Sequence, residues 1–319
     1  MDENHPALSH QREVVSKLSE CFEQVSVITG SSSDTPTAAN VVLHEINWQE
    51  GRPIRNASQL LYRFLKISLT NRPTAVFSHM VPIHAAITAP ISRLLRIRHV
   101  LWYAHAVTPI SLRVAGLFVN EILSSTAGSC NLKSRKVNFI GQGVDSTAFC
   151  FKKRDFLRLQ RILYVGRLDP SKNISSIVSA VNEARTLNPD LELTLVGGPK
   201  DSYGLPVIDW AVIKGPVARA ELPEVYASVD VFLHAFQGSL DKVLVEATLS
   251  GLPVITVNNE FKNSFEIFGK KSDSIEVQLR NLLTKNPAEI MEIVQRNYKT
   301  AVENHEMRGW IKRLVKALI

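Results

Sequence analysis

Short apolar runs alternate with helical patterns along the whole chain. In the first half, runs rich in β-branched and aromatic residues predict strands. These runs lie at 25–30, 41–47, 75–80, 99–105 and 121–127. Between them, apolar residues such as Leu60, Phe64 and Leu65 recur at helical spacing, and the chain itself opens on a helical pattern at Val14 and Leu18. The first half is therefore predicted to alternate strands with helices.

The second half restarts the same rhythm. Its predicted strands lie at 161–168, 191–198, 211–217, 229–235 and 252–257. Helices are predicted at 174–187 and 242–250, the latter stopped by Gly251 and Pro253. Such βαβ alternation is typical of a parallel sheet with helices on both faces. Two series of this kind predict an α/β protein with two Rossmann-like domains, at 1–144 and 159–319, joined by a polar linker at 145–158.

The first domain is predicted to lack an element. A doubly wound domain normally opens with a strand near the centre of its sheet, followed by a Gly-rich turn. Here the segment HPALSHQREVV resembles the loop and helix that should follow such a strand. Either Met1 is an internal methionine taken as a start, which we favour, or the domain has lost its first strand.

Composition narrows the class of protein. The 319 residues contain three scattered cysteines, no run of 18 apolar residues and no signal-peptide pattern, which favours a cytoplasmic location. The net charge of +7 indicates an anionic partner: nucleic acid, an acidic membrane surface or a phosphate-bearing small molecule. Nucleic acid is the weakest of these, because no basic stretch interleaved with aromatic residues is present.

Candidate chemistry lies just after the strands of the second half, because parallel sheets bind ligands beyond the carboxyl ends of their strands. At the end of the strand 161–166, Gly166 permits close approach of a ligand, while Arg167 and Lys172 could hold a diphosphate. The alternative is a solvated turn with two surface cations. Gly215 and Val217 follow another strand and would flank the same edge; alone they indicate only a turn.

The fourth strand edge carries the segment FQGSLDKVLVEATLSG. Gly238, Ser239 and Leu240 would form a loop that presents backbone N–H groups, with Asp241 near the start of the next helix. Asp241 could simply cap that helix. Glu246 lies among apolar neighbours and could accept both ribose hydroxyls of a nucleotide; the alternative is a surface glutamate.

Two further features leave alternatives open. His105 follows the strand at 99–105, where a histidine is either a structural hydrogen-bonding group or part of an active site. His99 and His105 lack a third ligand at metal spacing, so we predict no metal site. The C-terminal segment 307–319 has an apolar helical stripe that could pack back on the first domain or lie on an anionic membrane.

Taken together, these motifs resemble glycosyltransferase family 4 (glycosyl transferases group 1), a retaining family with two facing Rossmann-like domains known as the GT-B fold. The segments that carry the resemblance are IGQGVDSTAF (140–149), ILYVGRLDPSKNI (162–174), LTLVGGP (193–199), IKGPV (213–217) and SLDKVLVEATLSGLPVIT (239–256). In the first half, residues 102–129 are similar to the less well-defined N-terminal domain of the family.

The resemblance implies a role for each matching residue. Arg167 and Lys172 would hold the donor diphosphate and stabilise the leaving group, and Glu246 would bind the ribose. The loop Gly215–Val217 would lie by the nucleobase, Gly238 to Leu240 would present backbone to sugar and phosphate, and His105 would sit near the reacting sugar carbon. The family needs no metal or cofactor; its partners are a UDP- or GDP-linked sugar and a hydroxyl acceptor, in some members a lipid-linked glycan.

The chain departs from the family pattern at Gly238, where a glutamate is usual, and in the missing first strand. These departures keep two rival hypotheses open. One is a degenerate subunit that binds a nucleotide sugar and supports a partner transferase; the other is an epimerase of the same fold. Our leading hypothesis is a retaining, metal-independent transferase in surface polysaccharide or glycolipid synthesis, cytoplasmic or peripheral on the inner face of the membrane.

Overall fold

The computed structural model of the protein describes residues 10–30, 38–198 and 209–319. The chain separates into two compact units, one formed by Met1–Gly141 with Trp310–Ile319 and the other by Gln142–Gly309. Residues 145–158, which the sequence suggests as a linker, lie within the second unit. Part of the opening HPALSHQREVV segment and Pro199 of the LTLVGGP segment fall outside the described residues.

The first unit alternates helices and strands as predicted. Its elements are α1 (His10–Ser19), β1 (Val25–Thr29), β2 (Val41–Glu45), α2 (Pro53–Thr70), β3 (Ala75–His79), α3 (Pro82–Leu94), β4 (Arg98–Trp102), α4 (Ile110–Phe118), β5 (Glu121–Ser124) and β6 (Val137–Phe139). All five predicted strands are present. The strand β6 was not predicted, because it is only three residues long and two of them are exposed.

The strands of this unit form two parallel sheets. One pairs β1 with β2, and the other has the order β3-β4-β5-β6. In a doubly wound sheet the first strand lies between the second and the fourth. If β1 corresponds to the second strand of that pattern and β3 to the fourth, the first strand would lie between them. The described residues supply no strand there, and this is where the two sheets of the unit are divided.

The C-terminal helix completes the first unit. Helix α11 (Met307–Leu318) places the Trp310 ring 5.1 Å from that of Trp102 in an edge-to-face contact. Arg98 donates to the carbonyl of Ala317 at 2.5 Å, and Arg313 donates to that of Ile140 at 3.1 Å. The apolar stripe of the helix is therefore buried. Among the residues described, no helix is long and apolar enough to cross a bilayer.

The second unit is built on one five-stranded parallel sheet of order β11-β10-β7-β8-β9. Its elements are β7 (Arg161–Val165), α5 (Ile174–Ala184), β8 (Glu192–Val196), β9 (Ala211–Lys214), α6 (Leu222–Ala227), β10 (Val231–His234), α7 (Lys242–Leu249), β11 (Val254–Thr256), α8 (Asn259–Ser264), α9 (Ile275–Thr284) and α10 (Pro287–His305). Every predicted strand of this half is confirmed.

Residues of the central strands alternate between two hydrophobic clusters. Ile162 and Tyr164 belong to one cluster, and Leu163 and Val165 to the other. Because neighbouring side chains on a strand point to opposite faces, the sheet is covered by apolar residues on both sides. This burial explains why the strands read as continuous apolar runs, and it fixes the carboxyl ends of β7 and β10 side by side.

We predict that Trp310→Ala destabilises the first unit by about 3–5 kcal/mol, because the change leaves a cavity beside Trp102. Trp310 is only 2% exposed. Urea denaturation followed by circular dichroism measures the effect. The matched control, Ile319→Ala, truncates a side chain that is 85% exposed and should change stability by no more than about 0.5 kcal/mol. Equal stability of the two variants would contradict the packing described for α11.

Candidate active site

The carboxyl edge of the five-stranded sheet in the second unit brings Lys172 and Asp241 together. Lys172 ends a short 3₁₀ turn (Pro170–Lys172) that follows β7, and Asp241 directly precedes α7. The ammonium of Lys172 lies 2.5 Å from Asp241 Oδ2, and its side chain is only 11% exposed. The solvated-turn alternative is therefore wrong for Lys172: it is a buried cation with a fixed partner.

Asp241 does not cap α7, since its side chain accepts no hydrogen bond from the start of that helix. Its Oδ2 instead also contacts Nε2 of the buried His234 at 3.0 Å, and His234 Nδ1 lies 3.2 Å from the Thr256 hydroxyl. Burial of Asp241 raises the pKa of its carboxyl, but the His234 hydrogen bond and the charge of Lys172 outweigh it. The resulting pKa is about 2, so the carboxylate stays ionised.

Phe236 occupies the space beside Gly238. The Lys172 ammonium lies 3.8 Å from the centre of the Phe236 ring, a cation–π contact. A Cβ atom added to Gly238 would come within 2.1 Å of the same ring. The family's glutamate thus has no room at this position while Phe236 keeps its place, and an aromatic face supports the lysine.

The side chain of Asn258 holds the loop between β10 and α7. Its amide donates to the carbonyls of Phe236, Gly238 and Ser239 at 3.1–3.2 Å. No described residue accepts a hydrogen bond from the backbone N–H of Gly238 or Ser239. Leu240 is buried, and its carbonyl accepts from Gln142. Side chains of the protein thus donate hydrogen bonds to the carbonyls of this loop, and the backbone N–H groups of Gly238 and Ser239 remain available to a ligand.

Arg167 lies at the same edge but is oriented toward solvent. Its side chain is 70% exposed and pairs with Asp169 at 3.0 Å. Gly166 precedes it with a φ of +154°, and the backbone there is closely packed: a Cβ on Gly197 would lie 1.8 Å from the Gly166 carbonyl. The two glycines allow the turns after β7 and β8 to touch, which sets the position of Arg167.

Glu246 is the most deeply buried carboxylate of the candidate site, at 1% exposure. Its Oε1 accepts from Arg219 at 2.9 Å and its Oε2 from the hydroxyl of Tyr226 at 3.2 Å. Burial and the charge of Glu246 raise the pKa of Tyr226 well above its usual value, so the hydroxyl remains a donor. The surface-glutamate alternative is wrong, and Arg219 joins Glu246 to the chain segment after β9.

The remaining predicted residues lie in plainer surroundings. Gly215 follows β9 with open space where a side chain would begin, and Val217 is half-buried against one of the two apolar clusters. His105 lies in the first unit, three residues after β4. It is exposed, and its Nδ1 accepts from the backbone N–H of Val107 at 3.2 Å.

Several residues of the site had no clear signal in the sequence. His234 and Asn258 fall inside or just after predicted strands, where polar side chains are ordinary, and Tyr226 lies on a short helix. Arg219 could have been suspected, since a buried Glu246 requires a cationic or hydrogen-bonding partner. Phe236 sits only two residues before Gly238, but nothing in the sequence indicates that its ring fills the adjacent space.

Within the described parts of the chain, no group of three or more His, Cys, Asp or Glu side chains could hold a metal ion. His99 is buried, and its two ring nitrogens lie 2.8 and 2.9 Å from the hydroxyls of Ser78 and Ser92. Burial lowers the pKa of His99 to about 4. Its hydrogen bonds are thus satisfied within the first unit.

Residues 160–296 match a family model described as "Glycosyl transferases group 1". A GDP-mannose-dependent alpha-mannosyltransferase of Mycolicibacterium smegmatis is 35% identical over 145 residues, which are 41% of this chain and 37% of the relative. The match thus spans little more than a third of that relative. The predicted resemblance is confirmed for the second unit, which contains all residues of the family match.

Solved structures resemble the chain over nearly its full length. Anabaena Alr3699/HepE in complex with UDP-glucose gives a TM-score of 0.74 at 14% identity, covering 96% of this chain and 94% of that one. The lipopolysaccharide outer core galactosyltransferase WaaB gives 0.69 at 13% identity, covering 99% and 96%. This likeness confirms the predicted α/β fold class, GT-B.

We predict that Asp241→Asn lowers the free energy of unfolding by about 2 kcal/mol at pH 7. The pKa of Asp241 lies at about 2, below its value in the unfolded chain. Its stabilisation is therefore complete above about pH 4 and is lost as the pH falls toward 2. Urea denaturation at pH 7, 5 and 3.5 measures the difference, which should narrow only at the lowest pH. The control is Asp190→Asn, an exposed carboxylate; an equal effect of both variants at pH 7 would contradict the buried pair.

Proposed function

From the group 1 glycosyltransferase match of residues 160–296, we propose that the protein transfers a sugar from a nucleotide-diphosphate donor to a hydroxyl acceptor. The observation that carries the proposal is the buried Lys172 at the carboxyl edge of the sheet, beside a loop with two unpaired N–H groups. A buried ammonium close to backbone donors suits a phosphate better than any neutral ligand.

The donor diphosphate would contact Lys172, Arg167 and the N–H groups of Gly238 and Ser239. An ammonium has three protons to donate, and Asp241 takes one of them, so two remain for phosphate oxygens. Arg167 is exposed at the same edge and can leave its surface pair with Asp169 at little cost. The buried lysine would position the diphosphate, and the exposed arginine would bind it from the solvent side.

The nucleoside would extend toward Glu246, Gly215 and Val217. Each carboxylate oxygen of Glu246 already accepts one hydrogen bond and retains a second lone pair. These lone pairs would accept the ribose hydroxyls, with the hydrogen bonds from Arg219 and Tyr226 keeping the carboxylate oriented. The open space at Gly215 would leave room for the base beside Val217.

We propose a retaining mechanism. The bond between sugar C1 and the β-phosphate oxygen breaks, and the acceptor oxygen bonds to C1 from the same face. The proton of the acceptor hydroxyl passes to an oxygen of the departing phosphate. Such a reaction needs positive charge on the leaving group rather than a carboxylate base. The absence of a side chain at Gly238 is then no obstacle. In the first unit, the exposed His105 is the residue that we propose to take part in catalysis.

We further propose that no metal or cofactor takes part, because Arg167, Lys172 and the loop N–H groups supply the positive charge that a metal would otherwise supply. The acceptor would be a surface polysaccharide or glycolipid precursor, in line with the description of WaaB. Whether the donor carries UDP or GDP is open to direct test, since HepE was crystallised with UDP-glucose and the mycobacterial relative is described as GDP-mannose-dependent.

We predict that Arg167→Ala weakens binding of UDP or GDP, whichever the protein prefers, by about 10- to 100-fold, the value of one charge-assisted contact. Its melting temperature should stay unchanged, because the side chain is mostly exposed. Lys172→Ala should weaken binding as much and lower stability too, since it leaves Asp241 without its cation. Lys153→Ala, an exposed cation away from the strand edge, is the control. Isothermal titration calorimetry and thermal melts measure both effects.

These titrations separate the rival hypotheses when a donor-turnover assay accompanies them. Nucleotide binding without turnover of any donor, alone or with acceptors, indicates the nucleotide-sugar-binding subunit. A product formed from donor alone indicates the epimerase. Failure of both UDP and GDP to bind the native protein contradicts the proposed site itself.

We predict that transfer persists in 10-fold excess EDTA over any contaminating metal, at about the untreated rate. The glycosidic product should keep the anomeric configuration of the donor, as read from its one-bond C1–H1 coupling by NMR. Loss of activity that added Mg²⁺ or Mn²⁺ restores would contradict metal independence. An inverted anomer would contradict the same-face mechanism.

A further inference from the structure

Helix α4 of the first unit exposes apolar side chains to solvent. Ile110, Val114 and Leu117 lie on one side of the helix at intervals of four and three residues, and Ile110 and Leu117 are 80% and 67% exposed. The opposite side, with Leu112 and Ala115, packs into the core of the unit. A helix at a protein surface normally turns a polar side to water. We call Ile110, Val114 and Leu117 the apolar face of α4.

The end of α3 extends this surface. Arg93 donates to the carbonyl of Leu117 at 3.2 Å, which joins the ends of the two helices. Leu94, the last residue of α3, is 81% exposed. Lys136 donates to the carbonyls of Gly116, Leu117 and Val119 and so fixes the end of α4. The exposed leucines thus lie at two helix ends that side-chain hydrogen bonds hold in place.

Cations surround the apolar face. Arg93, Arg96 and Arg113 are exposed beside it, and we call these three the basic rim. Arg93, Arg96, Arg98 and Lys136 also line a pocket of about 490 Å³ at the ends of α3 and α4. Its size and positive charge would accommodate a phosphate-bearing head group.

The charge of this part of the chain is one-sided. Residues 51–120 contain nine Lys and Arg and no Asp or Glu. Their net charge of +9 exceeds the +7 of the whole chain, so the other residues together carry −2. The basic character of the protein therefore comes from the segment that includes α2, α3 and α4.

We propose that the apolar face of α4 and the basic rim dock on an anionic phospholipid bilayer. The aliphatic side chains would enter the boundary between head groups and acyl chains, and the arginines would contact lipid phosphates. Two different features of the chain, exposed aliphatic residues and a basic rim in a segment without acidic residues, fit this one occupant. A protein partner would need a matching acidic rim around an apolar groove, whereas an anionic bilayer offers both properties everywhere on its surface.

This docking surface replaces the one suggested by the sequence. The apolar stripe of α11 is buried in the first unit, so it cannot enter a bilayer, and α4 takes that role. Helix α4 begins five residues after His105, at the carboxyl edge of β4. A bilayer on α4 would therefore lie near the edge that bears His105, where a lipid-linked acceptor would have to arrive. The docking itself does not depend on the transfer reaction.

Vesicle sedimentation of the full chain tests the proposal. Vesicles of phosphatidylcholine alone are compared with vesicles that also contain phosphatidylglycerol, at low and high NaCl. We expect binding only to the anionic vesicles, weakened by salt. The triple variant Ile110→Ser, Val114→Ser, Leu117→Ser should bind anionic vesicles at least about tenfold more weakly than the native chain. The double variant Arg96→Glu, Arg113→Glu should also lose about tenfold or more.

Matched controls separate this surface from general effects of polarity and charge. Leu157→Ser with Leu187→Ser removes two exposed leucines of the second unit, and Lys152→Glu with Lys153→Glu changes net charge as much as the arginine pair. Both controls should bind like the native chain. Circular dichroism and UDP and GDP titrations of every variant show whether fold and donor site are intact.

Three outcomes would overturn the proposal: no binding of the native chain to anionic vesicles, equal binding to neutral vesicles, or equal losses in the variants and their controls. Analytical ultracentrifugation covers the alternative occupant. If the native chain does not bind vesicles but self-associates, and the triple variant is monomeric, the apolar face joins two copies of the chain. Failure of docking with intact nucleotide binding leaves the proposed transferase function standing.

Discussion

The ion pair between Lys172 and Asp241 is the interaction on which the candidate site depends. It joins the turn after β7 to the loop after β10, two segments that are 69 residues apart but adjacent at the sheet edge. A buried pair of charges is stable only when further hydrogen bonds compensate the loss of water. Part of that compensation comes from His234, which contacts Asp241, and part from the Phe236 ring, which contacts the Lys172 ammonium.

The Phe236 ring, which contacts Lys172, fills the space beside Gly238, the position at which the chain departs from the family pattern. A glutamate at this position would collide with Phe236 and would place another carboxylate close to Asp241. With glycine there, the Phe236 ring supports the ammonium, and Asn258 can hold three loop carbonyls at once. The second unit thus keeps a buried cation at the sheet edge, with an aromatic ring beside it and an amide that holds the adjacent loop.

Much of the second unit could be predicted because its central strands are buried on both faces and several strands end at glycines. The strand ends then located Gly166, Lys172 and the loop 238–240 on one edge. What could not be predicted is the partner of each polar residue, since pairs such as Glu246 with Arg219 join segments distant in the chain. The alternative that the Asp241 side chain caps α7 was wrong: Asp241 stands at the start of the helix, but its carboxylate contacts the distant Lys172 instead. The three-residue β6 has too few buried positions to give a pattern at all.

Helices α4 and α11 show that the sequence pattern also fails to predict which apolar surface is exposed. Both combine an apolar stripe with cations, and the sequence left two alternatives for α11: packing on the first domain or docking on a membrane. The stripe of α11 contacts Trp102 and is buried. Helix α4 packs into the core through Leu112 and Ala115, and its other apolar residues remain exposed. The periodicity of the sequence identifies an apolar stripe on a helix. Which stripe stays exposed depends on the tertiary contacts that cover the other sides of each helix. The exposed stripe of α4 lies in the segment 51–120, which contains nine Lys and Arg and no Asp or Glu, so the exposed apolar residues and the excess positive charge belong to the same part of the chain.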